Sequence, residues 1–164
     1  MLMEIVKSSR HAKLIGSFGE NIICNWFSRS GFEVIIADHT GLDIIAYNPA
    51  TEKRLGVTVK SRTRSRLEGD SVNIFSYQEG QNGHQKLLDA CLAFACEPWI
   101  AIYIETSKTG YIYLTSLNNY DERYRGKPDK KIDDWKMGER YKEIYRNDPE
   151  VKHIRIEFQE INWF

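Results

Sequence analysis

Three charged side chains in the first part of the sequence have types and positions that could support chemistry. Asp43 opens an apolar run at 42–47, where a carboxylate is costly to bury unless it is paired, hydrogen-bonded or metal-bound. Lys60 ends another largely apolar run, and Glu20 lies at the edge of an amphipathic stripe next to Gly19. Each has an ordinary alternative: a turn cap for Asp43, a strand-end cation reaching solvent for Lys60, and a solvated helix charge for Glu20.

A row of basic side chains follows the same region. From Lys53 to Arg66 there are six basic residues and no acidic one, and Arg62, Arg64 and Arg66 alternate with small polar residues. An extended segment would present these arginines on one side. Charged edge strands ordinarily only prevent aggregation, but this excess favours a phosphate-binding patch. The whole chain has 23 basic and 23 acidic residues, which excludes a protein that coats nucleic acid by bulk charge.

The elements that must position these residues follow from periodicity and turn signals. Residues 8–30 carry apolar side chains at helical spacing, and they include Leu14 and Phe18. The runs 32–37 and 42–47 are almost wholly apolar, which is typical of strands buried on both faces. Further strands are predicted at 55–62, 72–75, 99–105, 111–117 and 151–158, further helices at 83–96 and 132–146, and a charged loop at 118–131. This order favours a mixed α/β fold in which helices flank a central sheet.

Composition sets the remaining limits. A chain of 164 residues with 41% hydrophobic and 28% charged residues is expected to form one globular domain. No apolar run has the length of a membrane helix or a signal peptide. The three cysteines are an odd number without a CxxC motif, so we expect reduced thiols, no disulfides and a cytoplasmic protein.

The motifs together resemble the PD-(D/E)XK nuclease superfamily. A helix with Gly19-Glu20, a strand opening Gly41-Leu42-Asp43, a strand ending Thr58-Val59-Lys60 and a second helix follow in the superfamily's order. The segment is most similar to the Holliday-junction-resolvase-like branch, over about residues 12–105. The resemblance implies a restriction-endonuclease-like αβββαβ core with a mixed central sheet. It also implies a single domain over 1–164, in which 106–164 add a C-terminal helix and strand.

The resemblance also implies roles for individual residues. Asp43, Glu20 and the backbone carbonyl of Val59 would hold Mg²⁺ or Mn²⁺, and Lys60 would polarise the attacking water or the scissile phosphate. Thr58 stands where the motif has its second acid, so the site lacks one negative charge and metal binding is expected to be weak. Gln85 is a further candidate, because some relatives place a glutamine or lysine on the second helix.

Three hypotheses follow for function. The first is a metal-dependent nuclease acting on DNA phosphodiesters. The second is a catalytically impaired relative that binds nucleic acid through Lys53, Arg62, Arg64 and Arg66. The third is an interaction module on the same fold. DNA is the expected partner, no membrane contact is expected, and a homodimer would match the two-fold symmetry on which related resolvases act.

Overall fold

The computed structural model describes residues 5–64, 71–78, 80–127 and 130–164. The first half of the chain forms α1 (His11–Arg29), β1 (Glu33–His39), β2 (Leu42–Asn48), β3 (Lys53–Thr63), β4 (Ser71–Ser76) and α2 (Gly83–Ala93). The second half forms β5 (Glu97–Glu105), β6 (Thr109–Ser116), α3 (Leu117–Arg123), β7 (Ile132–Lys136), α4 (Glu139–Asn147) and β8 (Lys152–Glu157). The mixed α/β class predicted from the sequence is therefore confirmed.

A central six-stranded sheet has the order β1-β2-β3-β5-β6-β8. β3 and β5 run parallel and are connected through α2, whereas the other neighbours are antiparallel. β4 and β7 form a separate two-stranded sheet. The strand predicted at 72–75 thus exists, and β8 extends the central sheet as its last strand.

Helix α1 covers one face of the sheet through Ile15, Ile23 and Phe27, which are buried. Gly19 permits this close approach, because a Cβ there would stand 1.8 Å from the Ser61 hydroxyl oxygen. The apolar stripe predicted for this helix is wider than the face that it buries. Two of its members, Leu14 and Phe18, are 62% and 49% exposed.

The other face of the sheet is covered by α2, the β4–β7 sheet, α3 and α4. Its core joins Leu87 of α2 and Ile102 of β5 to an aromatic cluster around Trp135. Trp135 and Tyr145 stack with ring centroids 4.0 Å apart. The residues after 106 therefore supply β7, α3 and α4 to this layer.

Three sequence predictions are wrong in this layer and at the sheet edge. The helix predicted at 132–146 begins as strand β7, whose buried Asp133 and Trp135 alternate with half-buried neighbours, and it becomes helical only from Glu139. The loop predicted at 118–131 contains α3, which Ser116 caps by accepting a hydrogen bond from the Asn119 N–H. β1 is an edge strand and is not buried on both faces, as its exposed residues Ile35 and Ile36 show.

Candidate functional site

Strands β2 and β3 separate at Asp43, and this fork defines the candidate site. Their pairing ends with Ile44 opposite Val57, while β3 continues alone against β5 as far as Thr63. The Asp43 carboxylate fills the opening: it accepts a hydrogen bond from the Val59 N–H at 2.6 Å. The N–H and C=O of one strand residue leave the same edge of a strand, so the Val59 carbonyl also faces the fork.

Thr58 and Lys60 of β3 lie on the same face of the sheet as Asp43 of β2. The Thr58 hydroxyl donates to the same Asp43 oxygen at 3.3 Å, and its side chain is 5% exposed. Lys60 is two residues further along the strand, on the same face, and is half-buried. The β3 alternation predicted from the sequence therefore places Asp43, Thr58 and Lys60 on one side of the sheet.

Glu20 approaches the fork from α1, one residue after the glycine that contacts β3. Burial and the negative charges of Asp43 and Asp38 raise the pKa of the Glu20 carboxyl, whereas the Lys60 ammonium acts in the opposite direction. The charges of Asp43 and Lys60 thus both act on the Glu20 carboxyl. The carboxylates repel each other in the folded protein, and a cation between them would relieve that repulsion.

Two carboxylates and a backbone carbonyl are the oxygen donors at the fork that could hold a divalent ion. Mg²⁺ commonly takes one or two carboxylates and completes its octahedron with water, and Asp43, Glu20 and the Val59 carbonyl are oxygen donors of this kind. Among the residues that the structure describes, no group of three or more histidine, cysteine or acidic side chains could hold a metal ion. The Thr58 hydroxyl supports Asp43 by a hydrogen bond and adds no charge.

The basic side chains of β3 do not form one surface. Burial and the positive charge of Arg64 lower the pKa of Arg62; Arg62 lies in β3 beyond the fork, and Arg64 follows the last residue of that strand. Lys53 is exposed at the opposite end of the strand, nine residues from Arg62 and about 30 Å away along an extended chain. Arg66 lies outside the described residues.

Side chains of α2 next to the fork have partners of their own. Gly41 packs against the backbone carbonyl of Lys86, so the first turns of α2 meet the β1–β2 turn. The Gln85 amide donates to Asp89 at 2.8 Å and is exposed, and this contact ties it to its own helix. His84 is bound to Asp121 at 2.8 Å.

Sequence reasoning did not single out Asp38, which contributes to the field at Glu20. It lies near the end of β1 with a φ of 43°, within the register shift between Ile36 and His39. A bulge of this kind redirects side chains. The sequence Asp-His-Thr-Gly gave only a turn signal, because aspartate is common in turns for local reasons.

The fork, the mixed sheet and the two covering layers define a restriction-endonuclease-like fold, and comparison with known proteins supports this class. The chain is similar to the structure of Hjc, a Holliday junction resolvase from the archaeal hyperthermophile Archaeoglobus fulgidus. The match has a TM-score of 0.53 and 15% sequence identity, and it covers 79% of this chain and 88% of that chain. At this identity the likeness establishes the fold alone, and it confirms the restriction-endonuclease-like fold class predicted from the sequence.

No family model matches the chain, and no curated protein matches it. None of the helices in the described ranges is long and apolar enough to cross a membrane. Cys24, Cys91 and Cys96 are all free thiols.

Proposed function

We propose that this protein is a metal-dependent nuclease that acts on DNA phosphodiesters and that its activity is attenuated at Thr58. The observation that carries the proposal is the meeting of Asp43 and Lys60 on one face of the β2–β3 fork, with Glu20 electrostatically coupled to both. The resolvase-like fold supports the same class of chemistry.

Each residue has a distinct part in this proposal. Asp43, Glu20 and the Val59 carbonyl would hold Mg²⁺ or Mn²⁺. The bound ion would activate water and offset phosphate charge. The Val59 N–H and the Thr58 hydroxyl both donate to the Asp43 carboxylate and fix its direction. Lys60 places a positive charge where charge develops on the phosphate.

DNA would approach along the end of β3. Arg62 and Arg64 follow Lys60 on alternating positions and extend the positive surface away from the fork. Such contacts position the phosphate backbone without reading the base sequence. Lys53 takes no part in this surface, because it lies at the far end of β3.

The test of the catalytic proposal is cleavage of branched and linear duplex DNA with Mg²⁺ or Mn²⁺. Wild-type protein should cut slowly, and Asp43→Asn should abolish cutting because it keeps the shape and removes the charge. Asp89→Asn is the matched control, since Asp89 is exposed on α2 and bonds only within that helix in the contacts described above. Metal-dependent cleavage that survives Asp43→Asn would reject the proposed site.

A second candidate function is DNA binding without cleavage. Thr58 favours it, because its hydroxyl hydrogen-bonds Asp43 where the superfamily pattern has a further acid. Binding measured against salt concentration tests the DNA surface in either case. Arg64→Gln should lower the salt slope by about 0.9, one phosphate equivalent, while Arg54→Gln at the other end of β3 should leave it unchanged. Binding that is absent at low salt would favour an interaction module.

The remaining expectations stay predictions. The three free thiols agree with a cytoplasmic location, because disulfides persist mainly in oxidising compartments. A homodimer is tested by sedimentation velocity of the purified chain with and without branched DNA.

A further inference from the structure

A polar cavity lies on the same face of the sheet as Lys60, three strands away from the fork. It has a volume of about 530 Å³ and lies between α4 and strands β6 and β8. Basic side chains dominate its lining: Lys142, Arg146, His153 and Arg155, with Glu139 as the acidic member. This is an excess of two positive charges, with histidine neutral, in a chain whose net charge is zero.

Two tyrosines form an aromatic wall of the cavity. The rings of Tyr111 and Tyr113 are parallel within 6°, and their centroids are 6.4 Å apart. Lys142 is buried, contacts Glu139, and places its ammonium 5.1 Å from the centre of the Tyr111 ring. The lysine is thereby held inside the cavity.

The other basic side chains that line the cavity come from β8 and from α4. His153 and Arg155 are the cross-strand neighbours of Tyr113 and Tyr111 on β8. Arg155 also pairs with Glu157 at 3.0 Å, but both side chains are exposed, so the pair is weak and can yield to a ligand. Arg146 comes from α4 and is close enough to Tyr113 to act on its hydroxyl.

We propose that this cavity binds a phosphate group, carried by a free nucleotide or by a nucleic-acid strand. Guanidinium groups form paired hydrogen bonds with phosphate oxygens, and converging cations from a helix and a strand suit an anion with several acceptors. The volume lies within the range of small-molecule sites, roughly 300–1,000 Å³. This goes beyond the proposed function, because neither Asp43 nor a metal ion takes part.

The cavity is also distinct from the fork in position. Lys60, Ile102, Tyr113 and His153 follow one another across β3, β5, β6 and β8 in register. Three strand spacings separate the first from the last, which is about 14 Å. The covering layer around the buried Ile102 lies between the two places.

The test is isothermal titration calorimetry of the full chain at low ionic strength with three probes: inorganic phosphate, a 5′-deoxynucleotide and a ten-nucleotide single strand. Arg146→Gln should weaken binding by about tenfold, the loss of one charge-assisted contact. Arg140→Gln is the matched control, because it makes the same change on the same helix at an exposed residue that does not line this cavity.

The outcomes separate the sources of phosphate. Binding of phosphate and nucleotide that depends on Arg146 supports a free ligand, whereas Arg146-dependent binding of the oligonucleotide alone supports a strand. Absence of binding by all three probes, or equal loss in Arg140→Gln and Arg146→Gln, overturns the proposal. Asp43→Asn should leave this binding intact, so failure here is distinguishable from failure of the nuclease proposal.

Discussion

Replacing Thr58 with glutamate tests whether the fork lacks one acid. The Thr58 hydroxyl lies 3.3 Å from Asp43 Oδ2 and is 5% exposed, so the new carboxylate would be confined beside an existing one. Without metal, Thr58→Glu should destabilise the fold. With Mn²⁺ or Mg²⁺, the same pair of acids should bind the ion and recover stability.

The size of the effect follows from the separation of the charges. Two like charges about 4 Å apart repel by about 1 kcal/mol in water and about 4 kcal/mol at an effective dielectric constant of 20. The metal-free variant should therefore lose about 1–4 kcal/mol of unfolding free energy. In a domain of this size, each kcal/mol shifts the melting temperature by about 2–4 °C. An ion at a hundred times its Kd should return about 2.7 kcal/mol.

The assay is thermal unfolding followed by circular dichroism, in EDTA and in excess Mn²⁺. Thr51→Glu, in the exposed turn before β3, is the control for an added charge. Adding Asp43→Asn to Thr58→Glu should restore stability in EDTA and remove the gain from Mn²⁺. The reasoning fails if Thr58→Glu is as stable as wild type in EDTA, or if Mn²⁺ stabilises both proteins equally.

Three further changes test the electrostatics of the fold by urea unfolding. Burial and neighbouring carboxylates raise the pKa of Glu20, so the folded protein loses stability as pH rises through this raised pKa. Glu20→Gln should therefore stabilise the folded protein at pH 7 and have no effect below the ordinary glutamate pKa of about 4. Asp148 is buried, which acts to raise its pKa, but hydrogen bonds led by that from Asn119 lower it. Asp148→Asn should therefore cost about 1–3 kcal/mol at pH 7 and progressively less as pH falls through the lowered pKa. Arg125→Ala leaves the buried Asp133 carboxylate without its 3.2 Å partner and should cost about 1–3 kcal/mol.

Controls for these changes come from exposed residues. Glu97→Gln, the control for Glu20→Gln, should change the unfolding free energy little both at pH 7 and below pH about 4. Equal stabilisation by Glu97→Gln and Glu20→Gln would refute the repulsion between Glu20 and its neighbouring carboxylates. Arg140→Ala removes a cation from a solvated helix face and should cost less than about 0.5 kcal/mol. An equal loss in Arg125→Ala and Arg140→Ala would contradict the role assigned to the Asp133 pair. A pH-independent loss in Asp148→Asn would show that its ionisation is not what stabilises the fold.

The strands of the candidate site could be predicted because they follow local rules. An alternation of two residues along β3 was enough to separate Val57 and Val59 from Thr58 and Lys60. The cost of burying a carboxylate drew attention to Asp43, which the structure places against the Val59 N–H. Glu20 could be distinguished from an ordinary solvated helix charge only by its order relative to Asp43 and Lys60. Its electrostatic interaction with Asp43 could be recognised only in the folded structure.

The errors concern elements whose form depends on distant partners. β7 is a strand because it pairs with β4, some sixty residues earlier. The local sequence of β7 does not indicate this pairing. α3 has seven residues, too few for helical periodicity to emerge from a charged sequence. The separation of Lys53 from Arg62 became visible only with the length of β3, which carries the two residues near its opposite ends.

The two edges of the central sheet differ in their resistance to aggregation. Edge strands offer unpaired backbone groups to other chains, and charged side chains or bulges block that pairing. β8 carries Lys152, His153, Arg155 and Glu157 as exposed charged or titratable side chains. β1 has exposed charged or titratable residues only towards its ends (Glu33, Asp38 and His39), whereas its middle exposes Ile35 and Ile36, and its bulge begins only after them. Self-association of this chain at high concentration should therefore begin at β1, and a lysine in place of Ile35 would suppress it without touching the fork.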